Sequence, residues 1–265
     1  MPTINTELIP DLYQMPNYYW IMLYVTVFLF GIIIGSFLNV CIYRIPAKES
    51  IVPDSHCMSC QHRLYWYDLF PVFSYVFLKG RCRYCGAKVS IQYPLIETLN
   101  GVLYLLVFSV HGFNVQSILY CLMTSALIVI SVVSKRHHRI PLSLNIFLLF
   151  VGIAACILDH GRLVEHLIGM VCASLTLFLF YLIFYKVVPN KIMIRGDDIL
   201  LMAVTGMILG WQRIFIALGL GCICAAGHVI RLKAGRNAAG DGKKKYVFVM
   251  GMYLSAAVYI CALLK

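Results

Sequence analysis

At 265 residues, 61% apolar and 12% charged, with a mean hydropathy of +0.84, the chain has too little polar surface to cover a soluble domain of its size. A formal net charge of +11 invites a nucleic-acid reading, but the basic residues are dispersed in a way that argues against one. What remains is an all-α, polytopic membrane protein.

The first residues, Met1 to Tyr19, hold Glu7 and Asp11 but no Lys or Arg. A cleavable signal peptide needs a basic start, so the first apolar block reads as a retained span. One helix needs roughly 20 apolar residues to cross the hydrocarbon core, and about eight such blocks follow one another. They cover 19–43, 93–110, 115–134, 140–158, 163–187, 198–210, 212–230 and 246–264. The block at 198 is short and meets the next at Gly210-Trp211-Gln212-Arg213, which predicts a tight helical hairpin.

Alternate loops are basic. Arg44, Lys48, Arg63, Lys79, Arg81, Arg83 and Lys88 separate the first two spans. Lys135, Arg136 and Arg139 follow the third, Lys186, Lys191 and Arg195 follow the fifth, and Arg231, Lys233, Arg236 and Lys243 to Lys245 precede the last. The opposite loops and ends hold only Arg162, Arg213 and Lys265. Positive charge stays inside, so both termini are expected outside and four loops in the cytoplasm. The stretch Lys233 to Lys245, with Gly235, Gly240 and Gly242, reads as a flexible basic loop beside anionic lipid.

Seven of the eleven cysteines lie inside apolar blocks and read as small hydrophobes. The other four form Cys57-Met-Ser-Cys60 and Cys82-Arg-Tyr-Cys85 in the first basic loop. Two intervening residues let both thiolates of a pair reach one ion, and two such knuckles complete a tetrahedron that suits zinc. Gly86 fits the turn after the second pair. Disulfides are disfavoured in a reducing cytoplasm, and four thiolates leave no open position for water, so the metal is expected to staple the loop structurally.

Carboxylates are scarce, eleven in all. Glu97 lies early in the second block, and Asp197 and Asp198 open the sixth after Arg195-Gly196. A carboxylate at membrane depth is a functional candidate. The competing reading of the aspartates is favourable placement at a helix N-terminus. The third block ends at Ser134-Lys135-Arg136-His137-His138-Arg139-Ile140-Pro141, on the same face as Asp198 by the charge argument. A site shared by these two helix ends would be open to cytoplasmic water.

The chain resembles the type IV prepilin peptidases, bacterial membrane aspartic proteases. The match runs from Gly35-Ser36-Phe37-Leu38-Asn39-Val40 and Tyr43-Arg44-Ile45-Pro46 through both cysteine pairs, with Leu64-Tyr65-Trp66-Tyr67-Asp68, Pro71 and Ser74-Tyr75 between them. It continues with Gly80 to Gly86, Tyr93-Pro94, Glu97, and Leu201, Ala203, Gly206 and Leu209-Gly210-Trp211. The resemblance implies a multi-pass enzyme of the bacterial plasma membrane. Such an enzyme cuts a basic leader from pilin-like precursors at the cytoplasmic face, and many then methylate the new N-terminus with S-adenosylmethionine. Precursors and membrane lipid are the implied partners, with no nucleic acid. The implied division is an extracytoplasmic segment 1–18, the first two spans with a zinc loop at about 45–92 (together 19–110), and a six-span protease-like part, 111–265.

In this family two aspartates share a proton and activate water. The downstream Gly206 and Leu209-Gly210-Trp211 set the second at Asp198; Asp197 is the alternative register, preserving a Gly-Asp pair. The first, seven residues before the proline of an Ile-Pro pair, falls on Ser134, and Leu142 stands where an acid often follows that proline. The strongest catalytic marker is therefore absent, whether by natural variation or engineering. Asp159, at the opposite face, is not expected to reach, and Ser134 with Lys135 would diverge on one helix. The rival readings are a pilin-binding pseudoenzyme and a membrane scaffold or transporter.

Overall fold

The structure, a computed structural model, describes residues 16–52, 54–187, 195–239 and 250–264. Helices run in the order α1 (Asn17–Ala47), α2 (Phe73–Phe77), α3 (Gln92–His111), α4 (Val115–His137), α5 (Leu142–Leu158), α6 (Leu163–Val187), α7 (Gly196–Leu209), α8 (Trp211–Ala239) and α9 (Met250–Ala262). Among the described residues there is no strand, only the isolated bridges His56–Arg63 and Arg81–Lys88. Each of the eight apolar blocks corresponds to one helix, and α2 lies within the first loop. Four stretches, Asn17–Ala47, Gln92–His111, Val115–His137 and His160–Leu182, are long and apolar enough to cross a membrane. Leu142–Leu158, Trp211–Cys224 and Met250–Ala262 are shorter apolar helices. Helix α7 has 14 residues, hence a length of about 21 Å, short of a roughly 30 Å hydrocarbon core.

Gly210, at φ +77°, separates α7 from α8 where the hairpin was expected. The flexible loop expected from Lys233 needs correction. Helix α8 continues through Ala239, because a helix needs no apolar side chains to extend past a bilayer and Arg, Leu, Lys and Ala are all strong helix formers. The N-terminal segment before Pro16, the basic residues Lys191 and Lys243 to Lys245, and Lys265 lie outside the described residues.

The chain forms two compact units, the first ending at Phe113 and the second beginning at Asn114. In the first, α1 and α3 pack antiparallel in a register set by small residues. A methyl on Gly31 would lie 2.6 Å from Gly101 Cα, and one on Gly35 would lie 2.6 Å from Glu97 Cα. Asn100 donates to Gly31 O at 2.7 Å and Asn39 to Tyr93 O at 3.2 Å, so buried amides reinforce the same pairing. The Gly31/Gly35 pair thus serves packing within one chain.

In the second unit α4 is buried along most of its length and packs on α5 and α9. Gly169 of α6 and Gly206 of α7 meet backbone to backbone, where a methyl on either would lie 2.5 Å from the other's carbonyl oxygen. His166 Nδ1 lies 2.8 Å from Met207 O, and Arg213 donates to Tyr120 Oη at 3.1 Å, tying α6 to α7 and α8 to α4.

Candidate metal centre and buried carboxylate site

The first unit carries the cysteine cluster. Each pair sits in the same ten-residue device, once at 55–64 and again at 80–89. The first cysteine's N–H donates to the carbonyl five residues on, Cys57 to His62 at 2.9 Å and Cys82 to Ala87 at 2.8 Å. Its carbonyl accepts from the residue four on, Gln61 at 2.8 Å and Gly86 at 3.0 Å. Leu64 to Ser55 and Val89 to Gly80, both 2.8 Å, close the two turns. The residue after each second cysteine has a positive φ, 57° at Gln61 and 70° at Gly86. Gly86 was legible as a turn residue; Gln61 occupies the equivalent place without glycine's freedom.

The two knuckles bring Cys57, Cys60, Cys82 and Cys85 together, with all four sulfurs within 4.8 Å of one another and Cys57 to Cys85 at 3.9 Å. Four bonds of about 2.3 Å to a tetrahedral ion put sulfurs about 3.8 Å apart, so the donor set and its size both fit zinc. Backbone N–H groups of Cys60 and Ser59 draw the Cys57 thiol down to about 6. Cys85 is pushed up to about 11: the Ala87 N–H favours its thiolate, but burial and the sulfurs of Cys60, Cys82 and Cys57 outweigh it. Clustered thiolates repel unless a cation sits among them.

Asp68 locks the connecting segment to the second knuckle. Its side chain is 3% exposed and accepts from Arg83 Nε at 2.7 Å, Tyr84 Oη at 2.9 Å and the Tyr65 N–H at 3.3 Å. Burial opposes its charge, but the bonds from Arg83 and Tyr84 prevail and hold the carboxyl below its usual range. Its stabilisation is therefore present above the unfolded pKa of about 4 and is lost as pH falls through the folded value. At neutral pH, Asp68→Asn should destabilise the loop by about 1–2 kcal/mol, less than a fully buried ionic pair because Arg83 is half exposed. Faster amide exchange across 55–89 measures it, and unchanged exchange contradicts it.

The second unit brings three helix ends together. Ser134, in the last turn of α4, is 2% exposed, and Asp198, in the first turn of α7, is 4% exposed. Asp198 caps its own helix, accepting the Arg195 N–H on Oδ2 at 3.0 Å and returning its N–H to Arg195 O at 3.0 Å. This satisfies a helix-end donor and places negative charge at the positive end of the dipole. Asp197 turns outward instead; its side chain is 42% exposed and faces Arg195 Nε at 3.7 Å. Arg195 also donates to His138 O at 3.4 Å, joining the ends of α4 and α7.

Gly251, in the first turn of α9, completes the enclosure. A methyl built there would lie 2.7 Å from Ser134 Oγ, 3.1 Å from Asp198 Oδ1 and 3.1 Å from Ile140 Cδ1. The hydroxyl and the carboxylate therefore both lie against Gly251, where only a glycine fits without displacing them. Nothing local in the sequence marked Gly251, since α9 reads as an ordinary apolar span and the association spans more than fifty residues. Lys135 is exposed while Ser134 is buried, so the two diverge as expected of helix neighbours. Asp159 faces His166 Nε2 at 3.9 Å, near Met207, roughly 13 Å along α7 from Asp198. Glu97, in the first unit, is buried and accepts the Val72 N–H at 2.7 Å.

Gly251→Ala should therefore cost about 1–3 kcal/mol of stability through overpacking against Ser134 and Asp198, read as a lower unfolding temperature, and an unchanged temperature would contradict the tight fit.

These features define a polytopic helical membrane protein with a four-cysteine loop and a buried aspartate at a helix N-terminus. Residues 29–111 match the Bacterial Peptidase A24 N-terminal domain, and residues 121–230 match the Type IV leader peptidase family. Three similar proteins carry the description "Prepilin leader peptidase/N-methyltransferase". That from Legionella pneumophila is 32% identical over 79% of this chain and 81% of its own length, and that from Neisseria gonorrhoeae is 31% identical over 79% and 82%. The Myxococcus xanthus protein is 32% identical over 75% of this chain but only 60% of its own length. No solved structure matches. The chain belongs to the type IV leader peptidase family.

Proposed function

We propose that the chain is a prepilin leader peptidase whose hydrolytic pair is reduced to one carboxylate, Asp198, with Ser134 in the partner position. It binds pilin-like precursors and cleaves them slowly. The observation that supports this reading is the convergence of Ser134 Oγ and Asp198 Oδ1 on the space beside Gly251. In a complete pair, one carboxylate takes a proton from water as its oxygen bonds to the scissile carbonyl carbon. The other protonates or polarises the carbonyl oxygen, and the departing amine then takes up a proton as the C–N bond breaks. Asp198 can act as the base. The Ser134 hydroxyl can donate a hydrogen bond, but it cannot share a proton with Asp198 as a second carboxylate would. Asp197, half-buried and paired with Arg195, takes a supporting role.

The basic loops at about 45–92, 135–139, 186–196 and 231–245 face the cytoplasm in this reading, with both termini outside, in a bacterial plasma membrane. Their charge serves orientation and lipid contact, with no nucleic acid bound. Residues 1–18, 19–110 and 111–265 form the outer segment, the loop-bearing part and the protease-like part. Zinc held by Cys57, Cys60, Cys82 and Cys85 would supply structure. The relatives' names pair cleavage with N-methylation; S-adenosylmethionine is the donor this implies, and the cysteine loop belongs to that half.

The test is retention without cutting. The purified chain in liposomes should capture a precursor with a basic leader, a glycine and an apolar helix, yet leave its size nearly unchanged. No capture would remove the substrate assignment, and rapid cutting would remove the assignment of a crippled pair.

A further inference from the structure

We propose that residues Phe70–Phe77 form a re-entrant anchor, seated in the cytoplasmic leaflet of the bilayer that α1 and α3 cross. Three observations carry it. The first is depth. Val72 N–H donates to Glu97 Oε2 at 2.7 Å, and Ser36 of α1 hydrogen-bonds the same carboxylate. Glu97 lies five residues inside α3, about 8 Å from its start. It packs on Gly35, nine residues before Arg44, the first charged residue that α1 reaches, and so about 13 Å below it. A loop that merely joined the ends of α1 and α3 would stay above both. Here the chain descends between them to the level of Glu97.

The second observation is the turn that makes the descent. Val72 has φ 61° and ψ −51°, and the Phe73 N–H bonds Pro71 O at 2.6 Å. This is the strained form of the three-residue γ-turn, and a β-branched residue at positive φ is an outlier that its surroundings must enforce. The buried Glu97 carboxylate supplies that enforcement and gives the Val72 N–H a partner at a depth where water is scarce.

The third is the face that results. Beyond the turn, Phe73, Val76 and Phe77 stand at i, i+3 and i+4 on one side of α2, and all three are exposed, Phe77 by 81%. Phe70 is exposed beside them, and Lys79 and Arg81 follow, placed to reach headgroup phosphates. Apolar side chains this exposed, at this depth and on a segment tethered at both ends to membrane-crossing helices, match an acyl-chain environment. The anchor would hold the cysteine loop at a fixed height on the membrane, with Glu97 as its positioning residue.

Tryptophan depth measures this directly. Trp20, Trp66 and Trp211 are replaced by Phe, and Phe77→Trp or, separately, Val76→Trp supplies a single reporter. The chain is placed in nanodiscs of phosphatidylethanolamine and phosphatidylglycerol, with or without brominated acyl chains. Both reporters should lose roughly half their emission to brominated lipid and be shielded from aqueous acrylamide. Adding Glu97→Ala should release the turn and reverse both properties. Reporters quenched by acrylamide as freely as N-acetyltryptophanamide, with no response to brominated lipid, would overturn the anchor and leave this face to a protein partner. The reading of Ser134 and Asp198 is untouched by either result, since no cleavage is measured.

Discussion

Cys82→Ser should strip the metal from the protein and unfold residues 55–89 while leaving α1 and α3 in place. Metal analysis of the unaltered chain, purified without chelator, should find about one zinc per chain. A structural four-thiolate site contributes roughly 10–16 kcal/mol of binding free energy, which is folding free energy for the segment it organises. That segment has little else. Its knuckles are turns rather than sheet, its one helix has five residues, and Met58, Trp66, Phe70 and Phe77 face outward. Cys82 is the most buried of the four sulfurs' residues, so serine there leaves a hard, weakly coordinating oxygen at the centre of the cluster. Amide protection across 55–89 should vanish. The pairing of α1 and α3 should survive, because Asn39, Asn100 and the Gly31 and Gly35 contacts do not depend on the loop. Metal-free protein with a fully protected loop would contradict the staple.

Ser134→Asp should raise precursor cleavage by about four orders of magnitude, the scale lost when one member of a catalytic unit is missing. The substitution returns a carboxylate to the end of α4, facing the space that Asp198 Oδ1 already reaches. Two acids that close cannot both ionise easily, so one stays protonated and the pair regains a donor beside its base. Adding Asp198→Asn should abolish the gain. Asp197→Asn should cost far less, because Asp197 points toward Arg195 and solvent.

Much of this was legible from the residues. Long apolar runs made the eight major helices legible because a bilayer demands length and apolarity above all. The C-x-x-C spacing made the cluster of Cys57, Cys60, Cys82 and Cys85 legible because its geometry is local. The α2 turn was not, since Pro71-Val72-Phe73 reaches its shape only through Glu97, twenty-five residues away. The span of α8 was underestimated for a related reason: hydropathy marks where lipid ends, whereas helix propensity carries α8 on to Ala239. At the buried site, Ser134 and Asp198 could be named from motif register. Which aspartate turns inward depended on where α7 begins, at Gly196, and on the capping bond to Arg195. Gly251 had no signal, because a glycine in an apolar helix reads as packing until its neighbours are known.

The most direct measurement is the initial rate of leader removal from a precursor in liposomes, by the unaltered chain and by Ser134→Asp, side by side. Cutting should be slow or undetectable in the first, about 10⁴-fold faster in the second, and slow again once Asp198→Asn is added. Equal, rapid cutting by both chains would contradict the pairing of Ser134 with Asp198 and move the first catalytic position elsewhere in the molecule.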